Sequence, residues 1–126
     1  MSIFVFQVSA AEREERIYKY ADALEITASL GDLISSYSHG MKQKLAIIGA
    51  LIHKPKLLIL DEPTGNLDPE NSTQIVNILK KLNDEGKTII MATHDHELIF
   101  EQDCRVITID HGTIFSDEVK GYYETN

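Results

Sequence analysis

The stretch LLILDEPTGNLD, residues 57–68, decides the fold of this chain. Its four leading apolar residues predict a strand buried on both faces, and such strands belong to parallel sheets with helices on either side. Two carboxylates, Asp61 and Glu62, end the strand, and Pro63 and Gly65 then turn the chain. In open α/β sheets, ligands bind outside the carboxyl ends of the strands. We therefore expect Asp61 and Glu62 to stand at the edge of a binding site.

Asp61 and Glu62 suit two different roles in one site. Successive side chains of a strand point in opposite directions, so the two carboxylates should meet different surroundings. One of them can hold a hydrated divalent cation while the other orients or deprotonates a water molecule. The alternative is a strand with a solvated acidic end, which an isolated Asp-Glu pair does not exclude.

Composition and charge limit the classes of protein to which the chain can belong. A length of 126 residues predicts one domain, and 43% apolar with 25% charged residues is ordinary for a soluble globular protein. The absence of an apolar run of about 18 residues argues against direct membrane insertion. A net charge of −8 argues against nucleic acid as a partner. The single cysteine, Cys104, excludes an internal disulfide and fits a reducing cytoplasm.

The order of predicted elements is that of an α/β protein. We predict helices over residues 10–25, 38–53, 69–85 and 95–102, and strands over residues 3–8, 56–60, 87–92, 105–110 and 113–116. Strands alternating with helices predict a mostly parallel sheet with flanking helices, followed by a C-terminal antiparallel hairpin that turns at His111-Gly112. We assign residues 1–126 to a single domain, with a helical region 9–53, an α/β part 54–117 and a frayed tail 118–126.

Two side chains of the second helix carry further expectations. Glycine inside a helix costs roughly 1 kcal/mol relative to alanine, so we expect Gly49 to allow close packing against a neighbour. Lys44 is one of four lysines between residues 42 and 56, and we interpret these as solvated charges.

Ser38 and Gly40 stand at the predicted start of the second helix, within YSHGMKQK at residues 37–44. The first N–H groups of a helix have no internal partners, and the helix dipole favours an anion there. A serine hydroxyl beside a glycine, which lets the backbone come close, makes this end a candidate phosphate site. The alternative is that Ser38 is only a helix cap, the commoner use of serine at such a position.

His94 stands at the end of the second predicted buried strand, in TIIMATHD at residues 88–95. Histidine is a side-chain type that can exchange a proton near neutral pH through two distinct nitrogens. The alternative to a functional role is a solvated or capped residue, which is the usual state of a lone histidine at a strand end.

Taken together, three motifs resemble those of ABC-type ATPases. Residues 57–68 resemble the Walker B motif and D-loop of that family. Residues 37–44 resemble its signature motif, whose commonest form is Leu-Ser-Gly-Gly-Gln, in the variant of multidrug and ABC-2-type exporters, with His39 in place of the first glycine. The strand before His94 resembles the segment of the switch histidine. The likeness covers about residues 12–115, and the motifs come in the family's order.

The resemblance implies a partial P-loop NTPase-like fold and ATP hydrolysis in transport, with ATP and Mg²⁺ as cofactors. It implies a site that is complete only in a dimer with another ABC nucleotide-binding subunit. A transmembrane permease is the second implied partner, which would place the chain in the cytoplasm, peripheral to the inner face of the membrane. The implied roles are Mg²⁺ binding through water for Asp61, general base catalysis for Glu62, contact with the γ-phosphate for His94, contact with the partner's ATP for Ser38 and Gly40, and bridging of the dimer for Asp68.

One motif of the family is absent from the sequence. Gly-x-x-x-x-Gly-Lys-[Ser/Thr], the Walker A loop that cradles the β- and γ-phosphates, occurs nowhere in the 126 residues. The segment Phe4-Val5-Phe6-Gln7 resembles the strand that enters the family's Q-loop. The interval from Gln7 to Tyr37 is shorter than the family's helical subdomain, which leaves an accidental likeness open.

Three functions remain open on the sequence alone. The chain can be part of an ABC ATPase that hydrolyses ATP only when a Walker A-bearing half is supplied. It can instead be a non-catalytic domain, truncated, recombined or designed, that keeps the fold and binds a partner subunit without turnover. A DNA-repair ATPase of related architecture is the third, which the acidic net charge disfavours.

Overall fold

The structure, a computed structural model, describes residues 8–100 and 103–120. These residues form two compact units, which divide after Ala92. Gln7 and nearly all of the predicted strand over residues 3–8 lie outside the described residues. Within the described ranges, the first unit contains three α-helices and a parallel pair of strands, and the second contains a short helix and an antiparallel hairpin.

The first helix, α1, spans Ala10–Ala23 and begins with a capping box. Ser9 Oγ accepts a hydrogen bond from Glu12 N at 3.3 Å and donates one to Glu12 Oε2 at 2.9 Å. The bonds with Ser9, together with the nearby Arg16 charge, hold the pKa of the Glu12 carboxyl below its ordinary value. The helix ends two residues before the predicted boundary, and Glu25 lies beyond it with a φ of 59°.

Two 3₁₀ turns, Thr27–Ser29 and Ile34–Ser36, lead into the second helix, α2, which spans His39–Leu51. An arginine on α1 holds the far end of α2. Arg16 Nη1 donates to the Ile52 carbonyl at 2.5 Å, which satisfies an acceptor that the end of a helix leaves without an internal partner.

A strand, a helix and a second strand complete the first unit. Strand β1 spans Leu57–Asp61, α3 spans Pro69–Asp84 and β2 spans Thr88–Ala92. The two strands pair in parallel along their whole length, from Leu57 opposite Thr88 to Asp61 opposite Ala92. Asp68 caps α3, and Gly86, with a φ of 96°, follows its end, where a left-handed glycine commonly terminates a helix.

One hydrophobic core forms between the three helices and one face of the parallel pair. Leu60, Ile89 and Met91 are partly buried and pack against this core. Side chains alternate along a strand, so the face of β1 and β2 that carries these residues is turned toward the helices. The core residues are Tyr20, Ala21, Leu24, Ile26, Ile47, Ile48, Leu51, Leu58, Ile75, Ile78, Leu79 and Leu82.

The opposite face of the two strands is exposed, which corrects the expectation of strands buried on both faces. Leu57, Ile59 and Ile90 keep 48%, 69% and 53% of their surface exposed. The helices of the first unit pack on the face that carries Leu58, and the described residues of this unit form no second layer on the other face. An apolar run in the sequence does not by itself distinguish one buried face from two.

Two expectations for α2 are wrong. Gly49 is exposed, and nothing lies within 4 Å of the position that a Cβ would take, so it does not serve close packing. Lys44 is only 4% exposed rather than solvated. Its Nζ donates to Gln74 Oε1 on α3, and Gln74 Nε2 donates to Glu25 Oε2 at 2.6 Å. These bonds compensate for burial of the polar group.

The second unit consists of a short helix and a hairpin. Helix α4 spans His96–Phe100, and strands β3 and β4 span Cys104–Asp110 and Thr113–Lys120. The strands pair antiparallel, and the two residues between them, 111 and 112, have φ values of 46° and 76°, as a tight hairpin turn requires. Strand β4 includes residues 118–120, which we assign to a frayed tail from the sequence, and residues 121–126 lie outside the described residues.

The predicted fold class is confirmed. The chain is a mixed α/β protein with a parallel pair of strands, flanking helices and a C-terminal antiparallel hairpin. No helix in the described part of the chain is long and apolar enough to cross a bilayer.

Truncation of a core leucine tests this packing. Leu82 is 1% exposed, and we expect Leu82→Ala to lower the free energy of unfolding by about 2–5 kcal/mol, because it removes buried methyl groups and leaves a cavity. Ile59→Ala is the matched control on the exposed face, and we expect a change within about 0.5 kcal/mol. Urea denaturation followed by circular dichroism measures both. Equal losses in the two variants would show that the face of Ile59 is buried as well.

Candidate functional site

Asp61 and Glu62 differ in backbone conformation at the end of β1. Asp61 is the last residue of the strand and its side chain is exposed. Glu62 is half-buried, has a φ of 47°, and donates its N–H to the Ala92 carbonyl at 2.9 Å. A positive φ is uncommon for a residue with a Cβ, and such residues cluster at functional sites. The alternation of a regular strand therefore does not extend to Glu62.

Two successive hydrogen-bonded turns follow β1. Gly65 N donates to the Glu62 carbonyl at 3.0 Å, and Leu67 N donates to the Thr64 carbonyl at 3.2 Å. A Cβ on Gly65 would lie 3.2 Å from the Glu62 oxygen, so the first turn is too tight for a larger residue to enter without adjustment. We call residues 62–68 the acidic turn. Its tight path places Asp68 at the start of α3.

Asp68 caps α3 with both carboxylate oxygens. Oδ2 accepts from Asn71 N at 3.1 Å, and Oδ1 accepts from Asn71 Nδ2 at 2.5 Å. The side-chain bond from Asn71, followed by the backbone bond, holds the pKa of the Asp68 carboxyl below its ordinary value. Asp68 thus has a structural role within its own chain, and its bridging of a dimer stays a prediction.

Ser38 caps α2, so the capping interpretation is confirmed. Its Oγ accepts from Met41 N at 3.2 Å. That bond uses one lone pair of the hydroxyl and does not consume its proton, which can be donated to another acceptor. The amides of His39 and Gly40, the first residues of α2, have no partner within the helix. Capping by Ser38 is therefore compatible with an anion at this end of α2.

Tyr37 anchors the segment that enters α2, a role that the sequence analysis missed. Its side chain is 6% exposed, and its hydroxyl donates to the Ser29 carbonyl at 2.5 Å. A buried tyrosine usually finds a partner for its hydroxyl, so the residue type itself is the signal that points to such a bond.

The start of α2 contacts the acidic turn and the start of α3. His39 Nε2 lies 3.1 Å from the Gly65 carbonyl oxygen. A Cβ on Gly40 would lie 3.1 Å from Asn71 Cγ, so a larger residue fits there only if the Asn71 side chain moves. The structure thus brings Ser38 and Gly40 beside the segment that carries Asp68. Asn71 and His39 make these contacts, and no local pattern in the sequence identifies them.

His94 belongs to the second unit, two residues beyond the end of β2. Its neighbour Asp95 accepts a hydrogen bond from Leu98 N at 3.1 Å and so supports the first turn of α4. The role of His94 at a γ-phosphate stays a prediction. The three histidines outside the signature and His94 motifs are all exposed: His53, His96 and His111.

The described residues do not provide a metal site made of protein ligands alone. Within ranges 8–100 and 103–120, no three His, Cys, Asp or Glu side chains are grouped so that they could hold a metal ion. Mg²⁺ commonly binds through one or two carboxylates together with waters and substrate phosphates. An exposed single carboxylate such as Asp61 fits that kind of binding.

The family model described as "AAA domain, putative AbiEii toxin, Type IV TA system" matches residues 7–100 of the chain. The match covers most of the sequence. The chain belongs to this AAA-domain family.

Curated relatives narrow the comparison. The chain is 40% identical over 110 residues to the cell division ATP-binding protein FtsE of Streptococcus pneumoniae, a match that covers 87% of this chain and 48% of the relative. It is 49% identical over 83 residues to the macrolide export ATP-binding/permease protein MacB of Chlorobium phaeobacteroides, covering 66% of this chain and 12% of that protein. The chain thus spans about half the length of FtsE. These matches confirm the resemblance to ABC transporter ATP-binding domains.

Solved structures agree with this assignment. MJ0796, a bacterial ABC transporter cassette solved as a dimer, superposes with a TM-score of 0.79 at 30% identity over 94% of this chain and 51% of that chain. The same cassette has been solved in a post-hydrolysis state bound to ADP and Pi. MJ1267, another ABC cassette, gives a TM-score of 0.80 at 19% identity, which supports the fold alone.

Two glycines of α2 provide a matched test of the contact between α2 and α3. Gly40→Ala should lower stability by about 1–3 kcal/mol, because the new Cβ forces Asn71 away from Asp68. Gly49→Ala should raise stability by about 0.5–1 kcal/mol, since its Cβ would meet nothing within 4 Å and alanine favours a helix. Urea denaturation measures both effects.

A double variant separates the contact from helix propensity. The double variant Gly40→Ala/Asn71→Ala should lose less free energy of unfolding than the two single variants lose together, because the side chain that the new Cβ would contact is gone. Strictly additive losses would contradict the contact.

The lowered pKa of Asp68 predicts a pH dependence. Because the folded-state pKa lies below the unfolded one, the cap contributes stability above the unfolded pKa, and this contribution is lost as pH falls through the folded pKa. Asp68→Asn keeps a capping oxygen that does not titrate. Between about pH 5 and pH 2, wild type should therefore lose stability relative to Asp68→Asn in urea denaturation. A stability difference that does not change over this pH range would show that the cap does not lower the pKa.

Proposed function

We propose that the chain supplies the signature motif and the Walker B motif to the ATP sites of an ABC transporter dimer and hydrolyses ATP only together with a Walker A-bearing segment. The observation that carries the proposal is the position of two family motifs side by side in the first unit. The start of α2, with Ser38 and Gly40, contacts the acidic turn through His39 and Gly65. The ATP-binding names of the FtsE and MacB relatives support the same function.

The start of α2 fits a phosphate group. Its helix is 13 residues long, so its N-terminus carries the positive end of an appreciable dipole. The amides of His39 and Gly40 and the hydroxyl proton of Ser38 are donors that suit phosphate oxygens. We assign Ser38 and Gly40 to the ATP held by the partner subunit.

The carboxyl end of β1 fits the metal and the base. Asp61 is exposed and can accept hydrogen bonds from the waters of a hydrated Mg²⁺ ion. The ion, when bound, neutralises charge on the phosphates. Glu62 is assigned the role of general base, which accepts a proton from the attacking water at its carboxylate. His94 is assigned to contact with the γ-phosphate, and Asp68 to the dimer interface.

The proposed partners follow from the absence of a Walker A loop in the 126 residues. The phosphate cradle of the Walker A loop is not encoded in the 126 residues, so a Walker A-bearing half or a partner subunit must supply it. We propose another ABC nucleotide-binding subunit as that partner and a transmembrane permease as the larger assembly. This places the chain in the cytoplasm, at the inner face of the membrane.

The second candidate function is binding of a partner subunit without turnover. The exposed apolar face formed by Leu57, Ile59 and Ile90 favours it, since such a patch often marks an interaction site. This alternative predicts association with a nucleotide-binding subunit but no dependence of ATPase activity on Glu62.

Turnover measurements decide between the two. We expect no ATPase activity above background for the isolated chain, and an affinity for Mg²⁺-ATP no tighter than about 1 mM. Adding a separately produced cassette segment that carries Gly-x-x-x-x-Gly-Lys-[Ser/Thr] should produce turnover. Glu62→Gln should reduce that turnover at least about 100-fold, the usual contribution of a general base.

Matched variants control for folding. Glu14→Gln changes an exposed carboxylate on α1 and should keep full turnover. Ser36→Ala, at the last residue of the second 3₁₀ turn, is the control for Ser38→Ala, which should raise the ATP concentration needed for half-maximal rate. Turnover by the isolated chain that Glu62→Gln abolishes, or micromolar ATP binding in calorimetry, would contradict the need for a partner.

A further inference from the structure

A hydrogen bond links two motifs that are far apart in the sequence. His39, the first residue of α2, and Gly65, within the acidic turn, are 26 positions apart, and His39 Nε2 lies 3.1 Å from the Gly65 oxygen. A carbonyl oxygen can only accept, so Nε2 must carry the proton and donate it. The bond therefore fixes which ring nitrogen of His39 is protonated.

A second contact lies beside the first. Gly40 approaches Asn71 so closely that a Cβ would lie 3.1 Å from Asn71 Cγ. Asn71 is itself held by two hydrogen bonds to the Asp68 carboxylate. The start of α2 is thus in contact with both ends of the segment from Gly65 to Asn71.

The acidic turn needs such support. Glu62 and Asn66 both have positive φ, at 47° and 58°, and neither is glycine. Backbone conformations of this kind cost free energy and persist where the surrounding structure holds them. The bond from His39 reaches the turn at Gly65, between these two residues.

We propose that His39 is a positioning residue, whose Nε2–H fixes the acidic turn against the start of α2 and so sets the separation of Ser38 and Asp68. A glycine, which stands at this position in the commonest form of the signature motif, cannot make the bond. The functional meaning of this separation rests on the proposed function, in which both residues face the partner subunit.

Two substitutions of His39 test the bond in the full chain. Glutamine can place an amide N–H close to the position of the imidazole Nε2, whereas asparagine is one methylene shorter and cannot. The amides of Gly65 and Leu67, which donate within the acidic turn, report its opening by hydrogen exchange in NMR spectra.

His39→Asn should raise the exchange rates of the Gly65 and Leu67 amides at least about fivefold, the size of effect expected for one lost hydrogen bond. His39→Gln should keep both rates within about twofold of wild type. The amide of Ile78, in the buried part of α3, should exchange at the same rate in all three proteins. The proposal is wrong if the two variants raise the rates equally or if neither raises them.

The tautomer of His39 can also be measured in the wild-type protein. With ¹⁵N-labelled histidine at about pH 8, the His39 ring should show protonated Nε2 and unprotonated Nδ1. A ring with the proton on Nδ1 would overturn the proposal.

The outcomes are distinct from those of the proposed function. Neither exchange nor tautomer depends on ATP or on a partner. If the exchange pattern holds and the mixture with a Walker A-bearing segment shows no turnover, the positioning role stands and the proposed catalytic function falls. If turnover appears and His39→Asn leaves the acidic turn unchanged, the reverse is true.

Discussion

The burial of one face of a two-stranded sheet beneath three helices is the constraint on which the first unit depends. Leu24, which follows the last residue of α1, Leu51 on α2 and Ile75 on α3 have no exposed surface, and burial of apolar area is the main favourable contribution to folding. Each helix packs through one apolar stripe, so this burial fixes its rotation about its own axis. The first residues of α2 and α3 are thereby brought together, beside the turn that follows β1.

The packing of the helices supports the backbone conformation of the acidic turn. Glu62, the candidate base, has a positive φ that the local sequence does not favour. Residues 63 and 64 are buried immediately after it, and the Gly65 carbonyl is hydrogen-bonded to His39. The conformation at Glu62 is therefore set by tertiary contacts of the first unit. A change in the packing of α2 against α3 should reach the candidate base through these contacts, although it lies in another element.

The sequence predicts features that depend on a few neighbouring residues. The caps at Ser9, Ser38 and Asp68 each join a side chain to an amide three positions further on, so a short sequence pattern is enough to identify them. Features that depend on distant residues are not predictable in this way. Lys44 finds its partner 30 residues away, and the exposure of Gly49 depends on whether another element approaches it. The number of buried faces of β1 is likewise a tertiary property.

The candidate site likewise combines residues that local motifs identify with contacts that depend on distant residues. Motifs identify Ser38, Gly40 and Asp68, and contacts through His39 and Asn71 hold these residues together within one chain. The acidic end of β1 has less support. Among the described residues β1 pairs with β2 on one side only, and one of its faces is exposed. A polypeptide that covers this face adds contacts where the described residues provide few. Completion of the ATP site by a partner should therefore order the acidic end of β1 more than the start of α2.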